Sequence, residues 1–238
     1  MIKLENTVLP SAEQWEAIIR GMRNPKNSWD RSDSERGCTM SDSDHEIVYC
    51  KDCEYFCSSC FADGELIIGP NDHTLMMSLA KGGPVHAKYR RMIPVYVDIT
   101  APLYWWKEFD TYKVGTVANS CSTMHKIHAK EFELDDFSHD RLDQIGCNIL
   151  EVIIRYLNEN RDEFNKTKDK RYWENMIQLL PSSYNQKRTI ELNYEVLYNI
   201  YFSRKNHKLT EWHEVCAWIE SLPYSEIITG QEVSEDAD

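Results

Sequence analysis

The chain has 238 residues with 39 Asp and Glu against 27 Lys and Arg, and its net charge of −12 argues against general nucleic-acid binding, which needs a surplus of cations on one face. Hydrophobic residues make up 42% and aromatics 11%, enough for a real core and too much for a disordered chain. No run of about 18 apolar residues exists to span a bilayer, and the N-terminal MIKLENTVLPSAEQ has no signal-peptide core, so a cytoplasmic location is expected and no membrane partner.

Ser11 followed by Gln14 has capping-box form, and Trp15, Ile18, Ile19 and Met22 recur at helical spacing, which predicts an amphipathic helix over 12–23. From 24 to 64 the apolar period vanishes and Ser, Asp, Gly and Cys dominate, the pattern of a long Cys-rich surface insertion. Within it CKDCEYFCSSC offers Cys50, Cys53, Cys57 and Cys60, two C-x-x-C pairs able to place thiolates on one tetrahedral zinc. Only three residues separate the pairs, so an iron–sulfur cluster and plain thiols stay open beside zinc; Cys38 or His45 could replace one ligand. With no export signal, the 8 cysteines are read as thiols or metal ligands rather than disulfides.

Asn71 or Asp72 is placed to cap a helix carrying Leu75, Met76 and Leu79, which Gly82-Gly83-Pro84 stops. MIPVYVDIT, residues 92–100, alternates Ile93, Val95, Val97 and Ile99 on one face and predicts a strand, with Pro94 favouring a sheet edge. Pro102 then opens a helix through LYWWKEFDTYK, and residues 140–165 form a long helix with Leu142, Ile145, Ile149, Val152, Ile153 and Tyr156 on one stripe and charges opposite. Pro181 ends a further helix, SSYNQKRTIELN gives a turn and a short strand, and two last helices meet near His207 before an acidic tail at 230–238. The whole reads as one α/β (α+β) domain over 1–238, helices packed on a small sheet.

Arg90, Arg91, Lys107, Lys113, Lys126, Lys187, Arg188 and Arg204 flank the strands and last helices, pointing to a phosphate pocket in an otherwise acidic chain. Arg204 follows Tyr198, Tyr201 and Phe202 at a helix end, which suits either a half-buried site cation or a partner of the helix dipole. Trp105 and Trp106 can wall a cofactor pocket or pack a helix, and Tyr112 can stack on a ring or face the core.

TYKVGTVANSCSTMHK, residues 111–126, resembles the signature R-H-R-x-x-S-x-N-E-x-S-x-R-Y of the flavin-dependent thymidylate synthases, with one extra residue before Asn119. Thr116, Asn119 and Ser122 keep the chemistry of their positions, and Lys113 keeps only the charge. Thr111, Tyr112, Ser120, Met124 and His125 depart from it; Lys126 or Arg91 could replace the arginine lost at Met124. Pro181, Lys187 or Arg188, Asn193, Leu197, Asn199 and Arg204 follow the order of the same family's C-terminal pattern.

The resemblance implies a homotetramer with shared sites that methylates a pyrimidine nucleotide, dUMP to dTMP, using FAD, with methylenetetrahydrofolate and NADPH as substrates. Arg204 would be the catalytic cation that polarises the uracil ring, stabilising the charge that develops as C5 attacks. Asn119, Ser122, Lys187 and Arg188 would bind the nucleotide, and Thr111, Tyr112, Lys113, Thr116 and Asn199 the flavin. Cys121 falls on a variable position and is expected to be a small packed residue. The alternative implied by the lost arginines is a catalytically inactive descendant that binds a nucleotide or inhibits another protein.

Overall fold

A computed structural model describes residues 2–38, 48–49 and 65–230. In chain order its regular elements are β1 (Lys3–Val8), α1 (Ala12–Arg23), β2 (Glu35–Cys38), β3 (Val48–Tyr49), β4 (Glu65–Ile67), α2 (Pro70–Lys81), β5 (Pro94–Pro102), α3 (Leu103–Phe109), β6 (Val117–Ser120), α4 (Gln144–Thr167), α5 (Lys170–Leu179), β7 (Asn185–Asn193), α6 (Tyr194–Arg204), α7 (Glu211–Glu220) and α8 (Glu226–Thr229). Helix and small sheet are mixed, as the sequence leads one to expect. The proposed ligands Cys50, Cys53, Cys57 and Cys60 lie outside the described residues, as does the tail beyond Gly230. Two compact units are present, each drawn from separate stretches: Met1–Thr7, Tyr96–Glu191 and Leu209–Glu214 in the first, Val8–Val95, Leu192–Lys208 and Val215–Asp238 in the second.

The first unit holds the four-stranded sheet, ordered β1-β5-β7-β6. Strand alternation gives it one covered and one open face. On β5, Val97, Ile99 and Ala101 are buried while Tyr96, Asp98 and Thr100 are not; on β7, Gln186 and Ile190 are buried while Lys187, Thr189 and Glu191 face outward. β5 is an interior strand, contrary to the edge position suggested by Pro94. The proline is the strand's first residue, where its missing N–H removes no interior ladder bond.

Helix α3 ends at Phe109, four residues short of the reach expected from LYWWKEFDTYK. Thr111 turns its hydroxyl back onto the Glu108 carbonyl at 2.7 Å, a local bond that competes with helix continuation. Trp105, Phe109 and Trp212 stack at centroid distances of 4.7–6.5 Å, with Trp106 edge-on to Trp105 at 4.8 Å, so the tryptophan pair belongs to the core. A second cluster forms where α4 lies on α5. There Leu150, Leu157 and Met176 are buried with Ile127, Phe132 and Phe137, and Ile153, Ile154 and Trp173 pack against them. The stripe expected to face inward on α4 is instead exposed at Leu142, Ile145, Ile149, Val152 and Tyr156.

In the second unit the capping box at the start of α1 is present: the Ser11 amide donates to Gln14 Oε1 at 2.8 Å and the Gln14 amide to Ser11 Oγ. Trp15, Ile18, Ile19 and Met22 are buried as their period requires. The N-cap of α2 is Gly69 rather than Asn71 or Asp72, with Pro70 in the first turn. Asp72 is withdrawn from capping by a buried ion pair with Arg23, 2.5 Å long, the two side chains being 3% and 0% exposed. Its other oxygen accepts from Ser32 and Ser34 hydroxyls and from the Asp33 and Ser34 amides, while Arg23 donates to the Ser28 and Arg31 carbonyls. One carboxylate and one guanidinium thereby tie the 28–34 loop to both helices.

Candidate functional site

β7 carries the two adjacent cations expected to hold a phosphate, and the strand's period of two sends them to opposite faces of the sheet. Arg188 lies on the covered side with its side chain 12% exposed. Its guanidinium sits 4.1 Å above the Trp106 ring, Nε donates to Gln186 Oε1 at 2.9 Å, and one terminal nitrogen pairs with Asp110 at 2.7 Å. Gln186 in turn donates to the Cys121 carbonyl, its own carbonyl accepts from the Trp106 indole N–H, and the Cys121 amide donates to the Lys187 carbonyl. Arg188 is therefore the centre of a knot joining α3, β7 and the loop after β6.

Lys187 lies on the open face and pairs with Asp98 at 2.9 Å. Asp98 also accepts from Thr189 Oγ1 at 2.7 Å and from Asn6 Nδ2 at 3.0 Å, so one carboxylate bridges β1, β5 and β7. These donors, Thr189 first, then Asn6 and Lys187, hold its carboxyl down to about 2. Asn119 stands directly opposite Thr189 in the antiparallel β6–β7 pair and so shares this face.

Strand β6 is exposed along its whole length at the sheet edge. Beyond it Ser122 accepts from the His125 amide at 2.9 Å, and the Trp173 indole donates to the Met124 carbonyl at 3.0 Å, so the loop is shaped by its own short-range bonds. Cys121 is exposed rather than packed; its role in the loop is carried by its backbone. Before β6, Tyr112 packs its half-buried ring beside Phe109 and Trp212, at 6.3 and 6.1 Å. Lys113 is exposed. The Thr116 hydroxyl is buried and has no hydrogen-bond partner among the described residues, an unsatisfied group that suits a polar ligand.

Arg204 and Asn199 belong to the second unit, on α6. Arg204 is the half-buried last residue of that helix and Asn199 is exposed near its middle. The aromatic face preceding Arg204 is occupied by other cations: Arg90 lies 4.1 Å over Tyr198, and Lys205 lies 4.9 Å from the Phe202 centroid. Arg90 is buried and 2.9 Å from Glu195, an ion pair whose N–H is not aligned for a hydrogen bond. Cavities of about 340, 560 and 680 Å³ are found among the described residues, and none of the expected site residues lines them. No group of three or more His, Cys, Asp and Glu among the described residues could hold a metal ion, and no helix among them is long and apolar enough to cross a membrane.

Sequence reasoning missed Asp98, Asp110 and Gln186. Asp98 had a signal, being a carboxylate on the outward period of an otherwise apolar strand. Asp110 and Gln186 had none, because their partner is 78 residues away for the first and is defined only by the strand's alternation for the second.

The fold, helices mixed with a four-stranded and a three-stranded sheet, is similar to that of the flavin-dependent thymidylate synthases. Two structures of thymidylate synthase X from Helicobacter pylori with FAD and dUMP superpose with TM-scores of 0.58 and 0.56 at 14% identity, covering 95% of this chain and 94% and 95% of theirs. The UMP/dUMP methylase PolB from Streptomyces cacaoi, bound with 5-Br dUMP, gives 0.54 at 12% identity over 97% of this chain and 94% of its own. No protein-family model matches the sequence, and no curated protein matches it by sequence.

Proposed function

We propose that the chain binds a uracil nucleotide and methylates it at C5 with FAD, converting dUMP to dTMP with methylenetetrahydrofolate as carbon donor and NADPH as reductant. The observation that carries this reading is the likeness of fold over nearly the whole chain to proteins crystallised with FAD and dUMP or with 5-Br dUMP. FAD, when bound, supplies the hydride; the chain binds, orients and stabilises charge. Arg204 is assigned to the uracil ring, where a cation stabilises the anion developing as C5 becomes nucleophilic.

Asn119 and Ser122 supply neutral donors to the nucleotide, and Lys187, 42% exposed, is the cation of β7 that a phosphate can approach. Arg188 serves the fold. Toward the flavin, the Thr111 hydroxyl already has a carbonyl partner and Tyr112 is packed, which leaves Lys113 and the unpartnered Thr116 hydroxyl as the donors this stretch can offer.

Purified protein is expected to carry a flavin absorbance and to release tritium from dUMP labelled at C5. Arg204→Ala should abolish release while leaving the melting curve in place. Turnover retained in that variant would remove Arg204 from the reaction. One observation favours a second reading, a non-catalytic nucleotide-binding module: both cations of β7 are already paired with carboxylates, Asp98 and Asp110. A thermal shift with dUMP in colourless protein that releases no tritium would select it.

A further inference from the structure

Glu16, Ile19, Arg20 and Arg23 share one face of α1 at spacings of three and four, and with Trp29 and Leu66 they line a cavity of about 340 Å³ in the second unit. That volume lies at the small end of the range for small-molecule sites. Ile19 and Leu66 give it a buried apolar part. Trp29 is the most exposed of the seven tryptophans, at 51%. Its indole N–H donates to Asn24 Oδ1 at 2.8 Å, which satisfies the ring's one polar group and leaves its faces for apolar contact.

The charges on the wall are of two kinds. At the back, Arg23 is committed to Asp72, and the Ser32 and Ser34 hydroxyls that also line the cavity donate to the same carboxylate. Nearer the surface, Glu16 and Arg20 stand one helical turn apart, with about 5–6 Å between Cβ atoms, yet they do not pair with each other. Glu16 Oε1 is held by Arg36 Nε of β2 at 2.8 Å, which leaves Oε2 open, and the Arg20 guanidinium has no partner among the described residues. One small cavity thus offers a free carboxylate oxygen, a free guanidinium and an indole face.

We propose that this cavity binds a free α-amino acid with an aromatic side chain. Its carboxylate meets Arg20, its ammonium meets Glu16, and its ring packs on Trp29 above Ile19 and Leu66. The two charges of an amino acid sit on one carbon, so neighbouring side chains on a single helical turn can serve both. A simple anion would leave Glu16 facing it, and a simple cation would face Arg20; a zwitterion satisfies both at once. This site shares no residue with the nucleotide and flavin positions proposed above and does not rest on that reading.

The test is titration of the full chain with L-phenylalanine, followed by tryptophan fluorescence and by saturation-transfer NMR of the probe's ring protons, and binding is expected to saturate in the low-millimolar range. N-acetyl-L-phenylalanine lacks the ammonium and L-phenylalaninamide the carboxylate, and each should bind at least about tenfold more weakly. Arg20→Gln should weaken L-phenylalanine roughly ten- to a hundredfold while leaving the affinity for L-phenylalaninamide unchanged, a selectivity that a merely structural role would not produce. Trp29→Leu should remove the fluorescence response and lower affinity about tenfold, with the melting curve still that of a folded chain. No saturation at tens of millimolar L-phenylalanine, equal binding of the three probes, or an Arg20→Gln affinity within about twofold of wild type would each overturn the proposal.

Discussion

Replacing Arg188 by Ala separates a cation that holds the fold from one that holds a phosphate. The guanidinium lies 4.1 Å over Trp106, a residue 1% exposed, and a cation–π contact this desolvated contributes about 1–2 kcal/mol. Its charged hydrogen bond to the buried Gln186 adds roughly 1.5 kcal/mol. The pair with Asp110 adds no more than about 0.5 kcal/mol, because that carboxylate is 51% exposed and screened. The loss should total about 2.5–4 kcal/mol, which for a chain of this length lowers Tm by roughly 5–16 °C. Thermal unfolding followed by tryptophan fluorescence reads it directly. Arg188→Lys keeps the charge but cannot serve Gln186, Asp110 and the indole face at once, so it should recover no more than about half of the loss. Asp110→Asn should cost under about 1 kcal/mol. A Tm within about 2 °C of wild type for Arg188→Ala, together with a tenfold or greater loss of dUMP affinity, would refute the reasoning and return Arg188 to the ligand.

Asp72→Asn leaves the Arg23 guanidinium buried without a counter-charge and should cost about 3–5 kcal/mol, read by urea unfolding near neutral pH. Burial pushes the Asp72 carboxyl up, but bonds from Ser34, Ser32 and Arg23 outweigh it and hold it below its ordinary value of 3.8; its contribution is thus present above that value and lost as pH falls through the lowered pKa. Asp98 behaves likewise, its network holding above 3.8 and failing as pH approaches about 2, and Thr189→Val should raise its midpoint toward 3.8 in a carboxyl ¹³C titration.

Some local chemistry was legible where the partners are near in sequence, although the Gly69 cap of α2 and the Thr111 bond that ends α3 were not. The Ser11 and Gln14 box, Trp15 to Met22 on one face of α1, and the alternation of β5 all follow from spacing alone. Where the period admits two answers, the sequence could not choose. α4 carries two apolar stripes, and only packing against α5 decides that Leu150 and Leu157 face the core while Ile149 and Val152 do not. The candidate site was legible as a neighbourhood and not as a pocket. Lys187 and Arg188 are adjacent in sequence, yet an extended backbone separates them by the thickness of the sheet, and their carboxylate partners lie on β5 and just beyond the end of α3.

That separation bears on how a shared fold can tolerate changed charges. On the covered face Arg188 is fixed by an indole, an amide and a carboxylate, so its position is set by core packing whatever ligand the chain takes. On the open face Asp98 gathers Asn6, Thr189 and Lys187 from neighbouring strands. Its low pKa keeps it ionised across the physiological range. A phosphate approaching there meets Lys187 already shared with a fixed negative charge, and must compete for it. On the nucleotide reading proposed above, affinity on that face would depend less on the number of cations nearby than on how readily the Asp98 network releases one of them. A sheet of this construction can keep its strands in register while, on the same nucleotide reading, the strength of an anion site there would be tuned by a single acidic position.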